Sequence, residues 1–172
     1  DDLFLTETTK YADVVLPGYS YAEKEGTFTN TERRVQRVRK AVAGPEGAKP
    51  DTEIFTEIMN RMGYAQPHLS AAEIMDEIAA LTPTFAGVSY ARLDELGSVQ
   101  WPCNEKAPEG TPVMHIGGFV RGKGKFILTE YIATDERTGP RYPLLLTTGR
   151  ILSQYNVGAQ TRRTENVVWH AE

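Results

Sequence analysis

The chain has 172 residues, which is enough for one ordinary domain or for parts of two. Its 19 Lys and Arg residues face 23 Asp and Glu residues, and the formal net charge of −4 argues against general nucleic-acid binding, which needs clustered positive charge. No apolar run approaches the roughly 20 residues of a membrane span and no leader opens the chain, so we expect a cytoplasmic protein. The single cysteine, Cys103, allows neither an internal disulfide nor an ordinary iron–sulfur site, and we expect it to be a partly buried loop residue.

The N-terminal part of the chain alternates between apolar and polar stretches. Leu3–Thr6 and Val14–Leu16 are short apolar runs of the kind that form buried strands in a parallel sheet. Gly18–Asn30 is rich in Gly, Ser, Thr and charge, which is typical of a loop. The spacing of the valines in Arg33–Val42 fits a helix face as well as a strand, and their number favours the strand.

Three helices are predicted in the middle of the chain. Asp51–Met62 and Ala71–Leu81 repeat apolar residues at helical spacing, and we expect these apolar stripes to face the core. Ser70 and Glu73 have the spacing of a capping box at the start of the second helix. A shorter third helix is predicted over Tyr90–Leu96. The glycines expected to follow the first and third helices are Gly63 and Gly97.

The last third of the chain is predicted to hold a linker and two strands. Pro, Gly and charged residues crowd the stretch from Gln100 to Pro112, so residues 101–119 are assigned to a linker. Lys125–Ile132 alternates apolar and polar residues as a strand does. Leu144–Thr147 is predicted to be a short buried strand.

The second of these strands leads into a polar turn. Thr148, Gly149 and Arg150 follow its carboxyl end, which is where ligands bind in open α/β sheets. Gly149 allows a ligand close to the backbone, and the planar guanidinium of Arg150 suits a phosphate or a planar heterocycle. Residues 161–164 form a second basic and hydroxyl-rich stretch, and together the two stretches indicate an anionic, phosphorylated ligand. The alternative is a turn with solvated arginines.

A comparable polar stretch follows the second apolar run near the N-terminus. Residues 23–34 contain Gly26, a row of hydroxyls, Asn30 and Arg33, and the backbone amides of such a loop can hold an anion. The alternative is a polar loop in which Glu32 pairs with the neighbouring arginines.

The order and spacing of these stretches resemble a known family. Ala12–Pro17 and Glu23–Gln36 resemble a stretch of the molybdopterin-dinucleotide oxidoreductases of the dimethyl-sulfoxide-reductase type. Tyr142–Arg163 looks like the opening of that family's C-terminal dinucleotide-binding domain. Within this stretch, Gln154–Arg163 is most similar to the catalytic subunit of NAD-linked formate dehydrogenases.

This resemblance implies a cofactor and a reaction. The cofactor is molybdopterin guanine dinucleotide carrying molybdenum or tungsten, with iron–sulfur clusters in N-terminal sequence that this chain lacks. The reaction is the oxidation of formate to carbon dioxide, with electrons passed to partner subunits that carry iron–sulfur clusters, flavin and NAD. We therefore expect a C-terminal fragment that is inactive alone. The alternatives are a nitrate reductase of the same superfamily and a non-catalytic binding module on the same scaffold.

The resemblance also implies a fold and a set of cofactor contacts. We expect an α/β protein in which residues 1–100 end a Rossmann-like layer of the cofactor core. Residues 120–172 are expected to start a β-barrel-like dinucleotide-binding domain. No residue of the chain matches a catalytic or metal-ligating position. The implied cofactor-binding residues are Thr148, Gly149, Arg150, Ile151, Leu152, Ser153, Gln154, Tyr155, Asn156, Thr161 and Arg162, together with Gly26, Asn30 and Arg33.

Overall fold

The computed structural model describes residues 1–119 and 121–165, which belong to two compact units. The units are Asp1–Lys123 and Gly124–Glu172. The first unit is α/β, as predicted, whereas the Rossmann-like layer and the barrel-like domain stay predictions. Its sheet and helices are β1 (Gly26–Thr29), β2 (Arg34–Val38), α1 (Asp51–Arg61), α2 (Ala71–Leu81), α3 (Tyr90–Leu96) and β3 (Ser98–Gln100). Short 3-10 turns cover Glu7–Tyr11, Pro83–Phe85 and, in the second unit, Thr161–Arg163.

The sheet is built on a hairpin in which β1 and β2 pair antiparallel. Its turn is held by the side chain of Asn30, whose Oδ1 accepts the backbone N–H groups of Glu32 at 2.9 Å and Arg34 at 3.0 Å. Arg33 closes the turn with a left-handed φ of 65°. The turn sets the register of β2, and Val35 is consequently buried between β1 and β3.

The strand predicted over Arg33–Val42 is confirmed, since β2 lies within it. The loop predicted over Gly18–Asn30 is wrong at its end, where β1 forms. The hydroxyl-rich sequence of β1 has no apolar period of its own. It becomes a strand because β2 supplies the backbone groups with which it pairs.

All three predicted helices are confirmed, with ends within a residue of those expected. The capping box of α2 is present: Ser70 Oγ accepts the N–H of Glu73, and Glu73 Oε2 accepts the N–H of Ser70 at 2.7 Å. Gly63 and Gly97 follow α1 and α3 with left-handed φ angles of 88° and 75°, as their positions predicted. No helix in residues 1–119 or 121–165 is both long enough and apolar enough to cross a membrane.

The core of the first unit lies where the sheet packs against α3. Its buried side chains are Val35, Met75, Val88, Leu93, Val99 and Cys103, with Phe85, Tyr90 and Trp101 packed against them. The apolar stripes of α1 and α2 were expected to face the core, and this prediction is wrong for most of their length. Ile54 and Met75 are buried, while Leu81 is 74% exposed, because three short strands are too small a surface to cover two further helices.

Arg33 binds the segment that follows the sheet. Its guanidinium donates hydrogen bonds to the backbone carbonyls of Trp101, of Thr111 at 2.8 Å and of Pro112 at 3.0 Å. Carbonyl oxygens left without donors in a loop are costly when partly buried, and one planar guanidinium satisfies three of them. Residues 101–112, assigned to a linker from sequence, therefore pack onto the first unit.

A second arginine stabilises the same segment from α3. Arg92 donates to the carbonyls of Gly87 at 2.6 Å and Pro108 at 2.7 Å, and its Nη1 lies 3.2 Å from the sulfur of Cys103. Cys103 is fully buried, more than the partial burial expected from its sequence context. Cys103 packs tightly against Gly87, since a Cβ added to Gly87 would lie 2.5 Å from the Cys103 sulfur, so the thiol has a structural role in the core.

The apolar runs at the N-terminus are not strands. Leu3–Thr6 and Val14–Leu16 are mostly exposed, and a parallel bridge joins only Asp2 to Pro17. The N–H of Asp2 donates to the carbonyl of Leu16 at 3.2 Å. The prediction of two buried strands here is therefore wrong, and the parallel contact is confined to the single bridge between Asp2 and Pro17.

The two strands predicted in the second unit are absent from its described residues, 124–165. Lys125–Ile132 is exposed, and so is Leu144–Thr147, in which Leu146 is 85% exposed. An extended segment becomes a strand only when another segment pairs with it, and residues 124–165 provide none. The prediction of a buried strand before Thr148 is therefore wrong for this structure.

The capping box makes the stability of α2 depend on pH. The backbone N–H and the hydroxyl of Ser70 hold the pKa of Glu73 below its usual value. Because the pKa is lower in the folded chain, Glu73 stabilises the fold above its unfolded pKa of about 4.3, and this contribution is lost as pH falls through the folded pKa. Glu73→Gln is expected to lower the urea midpoint at pH 7 and to weaken its fall on acidification, measured by circular dichroism. Glu77→Gln, an exposed change on the same helix, should leave the pH dependence of the urea midpoint as it is in the parent chain. An identical pH dependence in Glu73→Gln and Glu77→Gln would contradict the prediction.

Loss of the Arg33 contacts is expected to destabilise the first unit. Arg33→Ala leaves three carbonyls without their donor, and we expect a loss of about 2 kcal/mol in the free energy of unfolding. Arg33→Lys should recover little of it, because an ammonium cannot reproduce the planar fork. The matched control is Arg39→Ala, which removes an exposed ion pair with Asp94 and should cost less than about 1 kcal/mol. Equal losses for Arg33→Ala and Arg39→Ala in urea unfolding would refute the structural role of Arg33.

Candidate cofactor-binding site

A pocket of about 560 Å³ opens in the second unit. The residues that line it are Thr148, Gly149, Arg150, Asn156 and Val157. The first four were predicted from sequence to bind the cofactor, so the structure brings together the turn at residues 148–150 and the residue six positions beyond it. Val157 was not predicted, and nothing in its residue type marked it out.

Arg150 is the charged group of this pocket. Its Nη1 donates a hydrogen bond to Oδ1 of Asn156 at 3.3 Å. Asn156 has a left-handed φ of 52°, a conformation that Asn tolerates better than most residues. Gly149 has open space where a side chain would start, so a ligand can approach its backbone closely. The pocket therefore offers a cation, an amide and an accessible backbone.

A second group of residues lies just beyond the pocket residues in sequence. Gln154 is 8% exposed, and its Oε1 accepts a hydrogen bond from Nε of Arg162 at 2.9 Å. The N–H of Arg162 donates to the carbonyl of Gly158 at 2.9 Å. Gly158 has a φ of 70°, and a Cβ there would lie 2.4 Å from Oε1 of Gln154. Sequence reasoning left Gly158 out of the site, although a glycine two residues after Asn156 was a signal of a tight turn.

Two hydroxyl groups beside this group have no hydrogen-bond partner among the described residues. They are the buried Oγ of Ser153 and the buried Oγ1 of Thr161, each adjacent in sequence to Gln154 or Arg162. Buried hydroxyls are almost always paired, so these two retain donor and acceptor capacity. Neither residue lines the pocket, whose own polar groups, Arg150, Asn156 and Thr148, fit an anionic, polar cofactor such as a pterin dinucleotide.

The other predicted residues contribute less to this geometry. Leu152 and Tyr155 are exposed, Ile151 is half-buried, and none of the three lines the pocket. In the first unit, Oδ1 of Asn30 accepts two N–H groups of the β1–β2 turn, and the guanidinium of Arg33 donates to backbone carbonyls. The cofactor role assigned to Gly26, Asn30 and Arg33 stays a prediction. Among residues 1–119 and 121–165, no group of three His, Cys, Asp or Glu side chains is placed to hold a metal ion.

Comparisons with known proteins agree with the sequence motifs. A family model described as "Molybdopterin oxidoreductase" matches residues 2–61. The "F420-dependent formate dehydrogenase 2 subunit alpha" of Methanococcus maripaludis is 49% identical over 170 residues, which are 96% of this chain and 25% of that protein. The "F420-dependent formate dehydrogenase subunit alpha" of Methanocaldococcus jannaschii is 43% identical over 171 residues, or 97% of this chain and 25% of that protein. A putative formate dehydrogenase of Staphylococcus haemolyticus is 46% identical over 173 residues, or 96% of this chain and 17% of that protein.

The relatives correct one expectation and confirm another. The two methanogen proteins are named F420-dependent, which conflicts with the NAD linkage inferred from the resemblance. The chain spans a quarter or less of the length of these relatives, so it corresponds to a portion of such a subunit. Residues 2–61 thus match the molybdopterin oxidoreductase family model, and nearly the whole chain is homologous to a part of the alpha subunits of formate dehydrogenases.

Proposed function

We propose that this chain is the cofactor-binding portion of a formate dehydrogenase alpha subunit, which oxidises formate to carbon dioxide. The observation that carries the proposal is the 49% identity over 170 residues to a formate dehydrogenase alpha subunit, an alignment that spans both polar stretches. Formate is preferred to nitrate as the substrate because the relatives at 43% to 49% identity are named for formate.

The pocket of the second unit is the proposed cofactor contact. Arg150 supplies a positive charge for a phosphate or the pterin, and Gly149 lets that group approach the backbone. Thr148 and Asn156 add hydrogen-bonding groups at the same opening. The proposed cofactor is molybdopterin guanine dinucleotide with molybdenum or tungsten. When bound, it supplies the metal that takes up the two electrons released from formate.

We propose that the electrons pass from the cofactor to groups that this chain does not hold. One cysteine cannot hold an iron–sulfur cluster, so any cluster that carries the electrons is held by the remaining part of the subunit or by partner subunits. The first acceptor to test is F420, because the methanogen relatives are named for it.

Formate oxidation by the full-length subunit tests the proposal. We expect the purified protein to reduce an artificial dye with formate and to show no nitrate reduction with the reduced dye. Arg150→Ala is expected to lower the metal and pterin content per chain about tenfold, and the formate activity with it, since one charge-assisted hydrogen bond contributes about 1.5–3 kcal/mol. Arg141→Ala, an exposed arginine of the same unit outside the pocket, is the control and should change neither. A cofactor-loaded protein that reduces nitrate and leaves formate untouched would refute the substrate assignment.

Substitutions at two glycines distinguish an effect on cofactor binding from an effect on folding. Gly149→Ala places a methyl group in open space, so we expect unchanged thermal stability and a lower cofactor content if a ligand occupies that space. Gly158→Ala meets Gln154 and a left-handed backbone, so we expect it to destabilise the turn by about 1–2 kcal/mol as well as to lower cofactor content. Metal analysis and thermal unfolding of the full-length variants measure both quantities. If Gly149→Ala kept its full cofactor content, the proposal that the cofactor lies against this turn would be wrong.

A further inference from the structure

Helix α1 carries an apolar stripe that its own unit leaves uncovered. Phe55, Ile58 and Met62 follow one another at intervals of three and four residues, which places them on one face of the helix. Their exposed fractions are 57%, 39% and 81%. Ile54, which borders these three residues, is the only buried residue of the helix. The apolar surface of α1 is therefore wider than the part that the first unit covers, and the uncovered part is called the α1 stripe below.

Ion pairs hold the side of α1 that is turned away from the α1 stripe. Nζ of Lys49 lies 2.5 Å from Oε1 of Glu53 and also contacts a carboxylate oxygen of Glu57, one turn further along the helix. Because successive helical residues are rotated by about 100°, these two glutamates lie on the side opposite the stripe. Lys49 itself is tied to the N-terminal segment, since its N–H donates to the carbonyl of Pro17 at 3.1 Å. The polar side of α1 thus binds its own unit, and the stripe faces outward.

The first unit has a small core for its length. A domain of about 120 residues normally buries roughly two thirds of the surface that its unfolded chain exposes. Such a core leaves apolar side chains of the helices, the α1 stripe among them, without cover from the unit. The buried hydrophobic side chains among the described residues of the unit are Val35, Ile54, Met75, Val88, Leu93, Val99 and Cys103.

A long stretch of the homologous subunits lies outside this chain. The chain aligns over 96% of its length with 25% of a formate dehydrogenase alpha subunit, so three quarters of that relative lie outside the matched part. The α1 stripe consists of a phenyl ring, a branched aliphatic side chain and a thioether, with no charge or hydroxyl. This composition is typical of a permanent contact that resembles a core cut in half, whereas surfaces that bind and separate carry more polar groups.

We propose that the α1 stripe is an interface within the alpha subunit, covered by apolar side chains from the part of the subunit that lies outside this chain. Phe55, Ile58 and Met62 are buried in that interface, while Lys49 and the two glutamates keep α1 attached to the first unit. The proposal needs the homology to alpha subunits and does not depend on the substrate or the cofactor proposed above, so either can fail without the other.

Photo-crosslinking in the full-length subunit tests the interface and identifies what covers it. Phe55→p-benzoylphenylalanine keeps an aromatic ring and, on irradiation, forms a bond to C–H groups that touch it. We expect a cross-link to a peptide of the same polypeptide outside residues 1–172, identified by mass spectrometry after digestion. Glu77→p-benzoylphenylalanine places the same probe at an exposed polar position of α2 and should give little cross-linked peptide.

A second variant measures the burial of the α1 stripe without the probe. Met62→Gln keeps the length of the side chain and makes it polar, so we expect the melting temperature of the full-length subunit to fall by about 2–4 °C, because a polar group is then buried at an apolar interface. Glu77→Gln, also a change to glutamine, should leave the melting temperature unchanged.

Several results would overturn the proposal. A cross-link from Phe55 to another polypeptide would assign the α1 stripe to a partner subunit or to a second copy, and a cross-link within residues 1–172 would assign it to this chain. Absence of a cross-link, or equal yields from the probes at Phe55 and Glu77, would show that nothing specific covers the stripe. An unchanged melting temperature in Met62→Gln would place the stripe in water.

Discussion

The carboxamide oxygen of Asn30 is the contact on which the first unit depends. By accepting two backbone N–H groups, it closes a turn that starts β2 at Arg34 and sets its register with β1. This register buries Val35 opposite Val99 and places Arg33 where it reaches the carbonyls of residues 101–112. A shift of one residue would turn Val35 to solvent and separate Arg33 from these carbonyls, so the core and the following segment depend on the same turn.

Arginine side chains order parts of both units. In the first unit, arginines serve structure: they donate to backbone carbonyls, as Arg33 and Arg92 do, or share a carboxylate, as Arg37 does with Asp94. In the second unit, Arg150 and Arg162 are oriented by amides. An anion site needs an ordered cation, and Arg150 lines the pocket with its guanidinium oriented by the neutral amide of Asn156.

Four of the residues predicted as cofactor contacts line one pocket, although the local structure around them differs from that expected. The pocket contains Thr148, Gly149 and Arg150, but no strand precedes them in the described residues of the second unit. The turn was predicted from a strand end, and the pocket instead arises because a left-handed Asn156 folds the chain back toward Arg150. Residue identity therefore predicted which residues lie together better than it predicted the secondary structure around them. A motif is defined by side-chain chemistry, whereas a strand is defined by a partner that can be far away in sequence.

The sequence by itself determined the features whose causes are local. The helices, the capping box of Ser70 and Glu73, and the stop at Gly97 follow from spacing, hydrogen bonding within a turn and the freedom of glycine. The similarity to formate dehydrogenase alpha subunits also followed from sequence, because the order of polar motifs is a property of the chain alone. Only the tertiary structure decided that β1 is a strand, that Leu144–Thr147 is exposed, and that Gln154 holds Arg162. Each of these depends on which distant or folded-back group supplies the hydrogen-bond partner, and no local pattern of residues encodes that choice.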